Sequence, residues 1–111
     1  MLGEHHPHVA LTYLSLAEVC VVQNDCTHAL EFAEKALAIQ TAALDEQHPD
    51  IAATYTVLAK VFKQQNNTPR VREFARKAVD IFVAKLGPDH PRLKQARRLL
   101  EETSQSSEDN A

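Results

Sequence analysis

The stretch LDEQHPD, at residues 44–50, has a counterpart on each side of it at a constant interval. The earlier copy is LGEHHPH, at residues 2–8, and the later copy is LGPDHPR, at residues 86–92. Each copy begins 42 residues after the previous one and carries its His-Pro pair at the same place. A fixed period of this size is the signature of a repeat architecture, in which each unit packs on its neighbours. The chain is therefore predicted to be a short array of similar units.

The segments between these linkers are also copies of each other. Aligned without gaps, residues 2–43 and 44–85 are identical at about 19 of 42 positions, which is far above chance. Within each copy, apolar residues recur at spacings of three and four, which places them on one face of a helix. The pattern is interrupted by Asn24-Asp25 in the first copy and by Asn66-Asn67 in the second, and Asn tolerates the left-handed backbone of a turn. Each unit is predicted to be a helix, a turn and a second helix.

Prolines mark the predicted helix starts. The first helix should run from about Pro7 to Gln23, because a proline in the first turn loses no hydrogen bond. The second helix should end near Ala43. In the second unit, Thr68 and Pro69 are predicted to be the N-cap and the first residue of the fourth helix.

The predicted domain covers residues 1–103. It consists of repeat 1 at about residues 2–43, repeat 2 at about residues 44–85 and a capping helix at about residues 91–103. A terminal helix with a charged outer side suits the end of such an array. The segment 104–111 is polar and acidic, and it is predicted to be a disordered tail.

Composition narrows the class of protein. The chain has 111 residues, 44% of them hydrophobic, and no apolar run of about 18 residues, so no membrane span is expected. Its two cysteines, Cys20 and Cys26, are too few for a disulfide framework and are expected to pack as small apolar side chains. A cytoplasmic protein is the prediction that follows.

The helical unit resembles the tetratricopeptide repeat. The small residues of that family fall at Ala17, Ala29 and Ala36 in the first unit, and Ala59, Val71 and Ala78 hold the same places in the second. The period of 42 residues and the LGxxHP linker look like the variant found in kinesin light chains. The resemblance implies an all-α fold of antiparallel helix-turn-helix repeats, forming a short right-handed solenoid with a C-terminal capping helix. It also implies a protein-binding adaptor or scaffold that needs no cofactor.

In this repeat family, the first helix of each unit lines a concave groove, and the resemblance therefore implies a set of groove residues. The kinesin-light-chain-like repeats usually carry an asparagine there, just before a Leu-Ala pair, whereas this chain has Ser15 and Val57. The groove also has a second interpretation, in which its apolar residues pack against an upstream helix. The expected groove residues are Leu11, Leu14, Ser15, Glu18, Val21, Val22, Thr56, Lys60, Lys63, Gln64, Lys94 and Arg98.

Charge is distributed unevenly along the chain. Eleven of the twelve Lys and Arg residues lie between Lys60 and Arg98, where only three acids occur. This segment is near +8, while residues 1–59 are near −7, and such an asymmetry favours an acidic protein or peptide as partner. The alternative is a solvated outer face, which is the interpretation favoured for Arg70, Arg72, Arg76 and Lys77.

Other chemistries find less support in the sequence. His5, His6 and His8 form a cluster, but the other two linkers carry a single histidine before proline, which marks a helix start and not a set of metal ligands. A pI near 6.0 and the lack of an aromatic stacking surface argue against nucleic acid. No cysteine has a visible base and oxyanion site, so the chain is predicted not to be an enzyme.

Two functions are compatible with these observations. The first is an adaptor or scaffold that binds a peptide or helix of a partner protein in the groove. The second is a structural or accessory segment at the C-terminal end of a larger protein, packed against upstream helices or self-associated. A homodimer through the first helix would cover its apolar residues, because exposed apolar patches of this kind mark contact surfaces.

Overall fold

The computed structural model describes residues 6–109, with side chains through residue 103. This part of the chain folds into helices joined by short turns, and it contains no strand. The all-α fold predicted from the repeats is confirmed. No helix in the described range is long and apolar enough to cross a membrane. The helices are α1 (Pro7–Val22), α2 (Cys26–Ala43), α3 (Pro49–Gln64), α4 (Thr68–Lys85) and α5 (Pro91–Asp109).

The histidine of each His-Pro linker caps the helix that follows it. Its Nδ1 accepts a hydrogen bond from the N–H two residues later, at 3.1 Å for His6, 3.0 Å for His48 and 3.2 Å for His90. The first N–H groups of a helix have no partner inside the helix, so this bond stabilises the helix start. The interpretation of these histidines as markers of helix starts is confirmed.

The turn inside each repeat has the same construction in both units. Asn24 and Asn66 adopt positive φ values of 62° and 59°, and the next residue in each turn is the N-cap of the second helix. Asp25 accepts a hydrogen bond from the His28 N–H, and Asn67 accepts one from the Arg70 N–H. The prediction of Thr68 as the N-cap is therefore wrong by one residue, because the Asn67 side chain already occupies that position.

Each pair of helices packs as an antiparallel hairpin around small residues. In the first unit, Ala10, Ala17, Ala33 and Ala36 are fully buried at the contact of α1 with α2. Because alanine side chains are short, they let the two helix backbones approach closely. The second unit repeats this contact and is closed by α5, which buries Leu93, Ala96 and Leu99 against α3 and α4.

The two units are joined through α3. Its Val57 and Leu58 lie in the same apolar cluster as the core of the first unit. Gln40, at the end of α2, is fully buried, and its Oε1 accepts a hydrogen bond of 2.6 Å from the Thr54 hydroxyl. Its Nε2 donates to the Asp50 carbonyl at 3.3 Å, so both ends of the buried amide have partners. The joint therefore combines apolar packing with a satisfied polar contact.

The capping helix is longer than predicted. It was expected to end near residue 103, whereas α5 continues to Asp109. The disorder expected for the tail at residues 104–111 stays a prediction. Thr103 is buried, and its carbonyl accepts a hydrogen bond of 3.4 Å from the Arg72 guanidinium on α4. This contact fixes the helix at residue 103, and extending a helix that is already formed costs little per residue. Residues 110–111 of the predicted tail lie outside the described residues.

Candidate functional site

Two open depressions lie side by side along α3, between α1 and α5, and together they form the groove of this molecule. The first has a volume of about 310 Å³ and the second about 510 Å³. Lys60 on α3 and Gln95 on α5 line both, so the two depressions form one continuous surface. An open surface of this size suits the side chains of a peptide segment better than an enclosed small molecule.

The first depression brings together five of the predicted groove residues. It is lined by Leu11, Leu14 and Glu18 from α1 and by Thr56 and Lys60 from α3. The other residues that line it are Asp50, Ala53, Val57, Phe82, Arg92 and Gln95.

The second depression lies toward the C-terminal ends of the same helices. It includes the predicted residues Val21, Lys63, Gln64 and Arg98, together with Leu99 and Glu102. Lys94 lines an adjoining recess on α5, with Arg92 and Arg98. The structure therefore gathers ten of the twelve predicted residues around these connected hollows.

Ser15 and Val22 do not line the groove. Neither lines a depression described above, although both are exposed and Val22 is 86% exposed. Ser15 lies about 60° around the α1 axis from Glu18, so it borders the side of α1 that lines the groove. In the groove itself, Val57 is 2% exposed within the core. It offers no polar group to a bound peptide.

Several predicted groove residues are already engaged in the fold. Leu14 is 6% exposed within the core of the first unit, and the Thr56 hydroxyl donates to the Ala52 carbonyl at 3.0 Å. The Gln64 amide donates to the Val21 carbonyl at 2.8 Å and accepts a hydrogen bond from the Cys26 thiol. These side chains shape the groove, whereas Leu11, which is 39% exposed, presents apolar surface to a ligand.

The cations of the groove fall into two groups. Lys63 forms an ion pair with Glu102 on α5, so its charge is already partly matched. Lys60, Arg92, Lys94 and Arg98 have no carboxylate within ion-pair distance among the described side chains. Cations without an intramolecular partner keep their full charge for a ligand, so the candidate site centres on these four residues.

Cations on the outer side of α4 are more fully engaged. Arg70 and Lys77 both pair with Glu73, at 3.3 and 3.8 Å. The ammonium of Lys77 also lies 5.5 Å from the ring centres of Tyr55 and Phe74, within the range of a cation–π contact. These contacts support the assignment of the outer α4 cations to the solvated face of the fold.

Arg92 is the most informative groove residue that sequence reasoning missed. It follows the His-Pro pair of the third linker, and Asp50 holds the same place in the second linker. Both residues line the first depression. The repeat period therefore contained the signal, because equivalent positions in successive units face the same side of the array. Glu102 lies beyond the last repeat, so the period could not identify it.

The histidines and cysteines do not form a metal centre in the described part of the chain, where no three His, Cys, Asp or Glu side chains cluster suitably. Cys20 and Cys26 are free thiols, both half-buried. Of the predicted histidine cluster, His5 lies outside the described residues, and His6 uses its Nδ1 as a helix cap.

Comparison with known proteins agrees with this architecture. A sequence model described as the tetratricopeptide repeat matches residues 8–82, which include nearly all of helices α1 to α4. The chain belongs to the tetratricopeptide repeat family. A search of curated proteins finds no match. Membership of the tetratricopeptide repeat family indicates a module for protein–protein interaction, and α5 extends the matched region as a further helix packed on the second repeat.

Proposed function

We propose that this chain is an adaptor or scaffold module that binds a segment of a partner protein along the groove. The observation that carries the proposal is a set of four cations beside the exposed side chain of Leu11, namely Lys60, Arg92, Lys94 and Arg98. None of the four pairs with a carboxylate of the side chains that the structure describes. A surface that combines apolar contact with unmatched charge suits a peptide whose residues complement both.

The charges of the two depressions differ, and this difference predicts the orientation of a bound peptide along the groove. The first depression contains Glu18 and Asp50 as well as Lys60 and Arg92, so its charge is mixed. The second depression has Lys60 and Arg98, while its carboxylate, Glu102, is paired with Lys63. We therefore expect an apolar residue of the ligand against Leu11 and its acidic residues toward Arg98.

Backbone recognition would use an amide on the capping helix. Gln95 is exposed and lies between the two depressions, where its side chain can both donate and accept hydrogen bonds. The buried Val57 cannot supply this contact. The proposed binding mode therefore differs from that of repeats that use an asparagine on the first helix.

The cellular setting is part of the same proposal. The two free thiols, Cys20 and Cys26, support a reducing compartment such as the cytoplasm. The proposed module carries out no chemistry and uses no cofactor.

A peptide selection tests the proposal directly. A library of random peptides is selected against the intact chain at low and at moderate salt, and affinities of the enriched peptides are measured by fluorescence anisotropy. We expect peptides with an apolar residue and several acids, whose binding weakens as salt rises. The Lys60→Glu/Arg98→Glu variant should bind them at least about tenfold more weakly, because like charges then face each other.

The control is the Arg76→Glu/Lys85→Glu variant, which changes the net charge equally at two exposed cations on α4 outside the groove. It should retain the affinity of the unmodified chain. An equal loss in both variants would show that only net charge matters. Enrichment of neutral or basic peptides would also contradict the proposed site.

A further inference from the structure

Helix α1 has a second exposed face, which adjoins the side that lines the groove. Thr12, Ser15, Leu16 and Val19 form this outer face of α1, and all four residues are exposed. Leu16 and Val19 remain 42% and 53% exposed, although both are large apolar side chains. No described residue covers this face.

The second repeat shows what normally covers such a face. The residues of α3 at the equivalent positions are Thr54, Val57, Leu58 and Val61, and none is more than 2% exposed. Val57 and Leu58 pack into the core of the first unit, and Thr54 bonds to Gln40 of α2. The helical hairpin of the first unit therefore covers this face of α3.

The outer face of α1 retains the residue types that are buried in α3. Three of its four residues are identical to their counterparts, and only Ser15 differs, from Val57. Leucine and valine at this helical spacing are typical of a face that packs against another helix. The face thus has the composition of a helix–helix contact.

The two ends of the array differ in polarity. Helix α1 contains no Lys or Arg, and Glu18 is its single carboxylate. In contrast, α5 exposes Arg92, Lys94, Arg97 and Arg98, as expected for a helix that ends an array in solvent. A helix that is apolar on most sides is usually buried. The α1 end is therefore the one that requires a partner.

We infer that the outer face of α1 is the contact surface of a homodimer, in which it packs against the same face of a second copy. The large apolar side chains exposed in the described part of the chain are Leu11, Leu16, Val19 and Val22 on α1, and Val83 on α4. On a second copy, the described surface with the most exposed apolar side chains to pack against α1 is therefore the α1 of that copy. A contact of identical faces is isologous and closes around a two-fold axis.

The charge pattern favours this self-association. None of the four residues of the outer face is ionisable, so the two-fold axis brings no like charges together at its centre. With the helices antiparallel, Ser15 and Leu16 of both copies lie near the axis, and Val19 of one copy lies beside Thr12 of the other. The antiparallel arrangement also places opposite ends of the helix dipoles together.

The dimer is expected to be weak and to leave the groove open. Helix α1 has 16 residues, which corresponds to a length of about 24 Å, so the contact is small and its Kd should lie roughly in the micromolar range. Leu14 and Glu18 face the first depression from another side of α1. Dimerisation would thus display two grooves, which raises the avidity for a partner with two binding segments.

Charge substitution at Ser15 tests the inference. The oligomeric state of the unmodified chain, of Ser15→Glu and of Ser15→Lys is measured by sedimentation velocity from low micromolar to submillimolar concentration. We expect a reversible dimer for the unmodified chain and at least about tenfold weaker association for each variant, because like charges meet near the axis. An equimolar mixture of the two variants should recover association, since opposite charges then face each other.

The control is Val83→Glu, which places a charge on an exposed apolar residue of α4 and should leave the dimer unchanged. Circular dichroism of the Ser15 variants checks that they are folded. A monomer at all concentrations would overturn the inference and leave the face for another polypeptide. A dimer insensitive to both Ser15 variants, or a mixture that fails to recover, would overturn it as well.

Discussion

At the scale of single residues, the turn of each repeat depends on one asparagine in the left-handed region. Asn24 and Asn66 occupy equivalent positions, with φ values of 62° and 59°. A residue with a Cβ atom is usually strained in this conformation, and asparagine is among the few that tolerate it. The recurrence of this residue in both units therefore has a backbone cause and requires no role in binding.

Substitution of Asn66 tests this explanation. Asn66→Ala should lower the free energy of unfolding by about 1 kcal/mol, because alanine adopts positive φ at a cost. Asn66→Gly should be roughly neutral, since glycine adopts this backbone freely. Urea unfolding followed by circular dichroism measures both values. If alanine and glycine had the same effect, the loss would come from the asparagine side chain and not from its backbone conformation.

At the scale of helices and turns, equivalent caps in the two repeats differ in their response to pH. Asp25 caps α2 by accepting a hydrogen bond from the His28 N–H. Its carboxylate also lies 2.7 Å from the His28 ring nitrogen. These two hydrogen bonds, the backbone one first, lower the pKa of Asp25 below its ordinary value of 3.8. Asn67, the equivalent cap of α4, does not titrate. The charged form of Asp25 thus stabilises the folded chain. This stabilisation is fully present when the pH is above the pKa of Asp25 in the unfolded chain. It is lost as the pH falls through the lower pKa of Asp25 in the folded chain.

Exchange of the two caps makes this difference measurable. The stability advantage of the unmodified chain over Asp25→Asn should shrink as pH falls below the ordinary value for aspartate, because both caps are then uncharged. Asn67→Asp should be more stable than the unmodified chain at neutral pH, because a negative charge is favourable at a helix N-terminus. This gain should disappear in acid. Thermal melts between neutral pH and pH near 3 would show both trends. A constant difference between Asp25→Asn and the unmodified chain would contradict the proposed role of the Asp25 charge.

Sequence reasoning was most successful where the repeat and local chemistry agree. The starts at Pro7 and Pro91 and the end at Ala43 are confirmed, because proline and the turn residues act locally. The length of α5 could not be predicted in the same way. The contact of α5 with α4 through Thr103 and Arg72 was also beyond prediction, because these residues are far apart in sequence and meet only in the folded chain.

The groove shows a similar division between local and tertiary information. The period identifies which residues face the same side of the array, and this would have included Arg92. It cannot reveal which cations are matched, since the pairing of Lys63 with Glu102 joins different helices. It also could not show that Thr56 and Gln64 are engaged by the fold, because their partners are set by three-dimensional packing.

At the scale of the whole molecule, α3 is the central element of the described structure. It packs against α1, α2, α4 and α5, whereas α1 contacts only α2 and α3, and α5 contacts only α3 and α4. Repeat arrays are stabilised by contacts between neighbours, so an element with neighbours on both sides opens only when the array opens. Helices at the two ends can open separately at lower free energy.

Native-state hydrogen exchange should show this order of stability. In dilute solution, amides of α3 are expected to exchange most slowly, at rates set by global unfolding, while those of α1 and of the second half of α5 exchange faster.

At high protein concentration, α1 should become more protected if it forms the proposed dimer, and α3 and α5 should change little. Mass spectrometry of peptic fragments at both concentrations measures these rates, with Ser15→Glu as the control that should show no gain in α1. Uniform protection in dilute solution would contradict the central role of α3, because the whole array would then open as one cooperative unit.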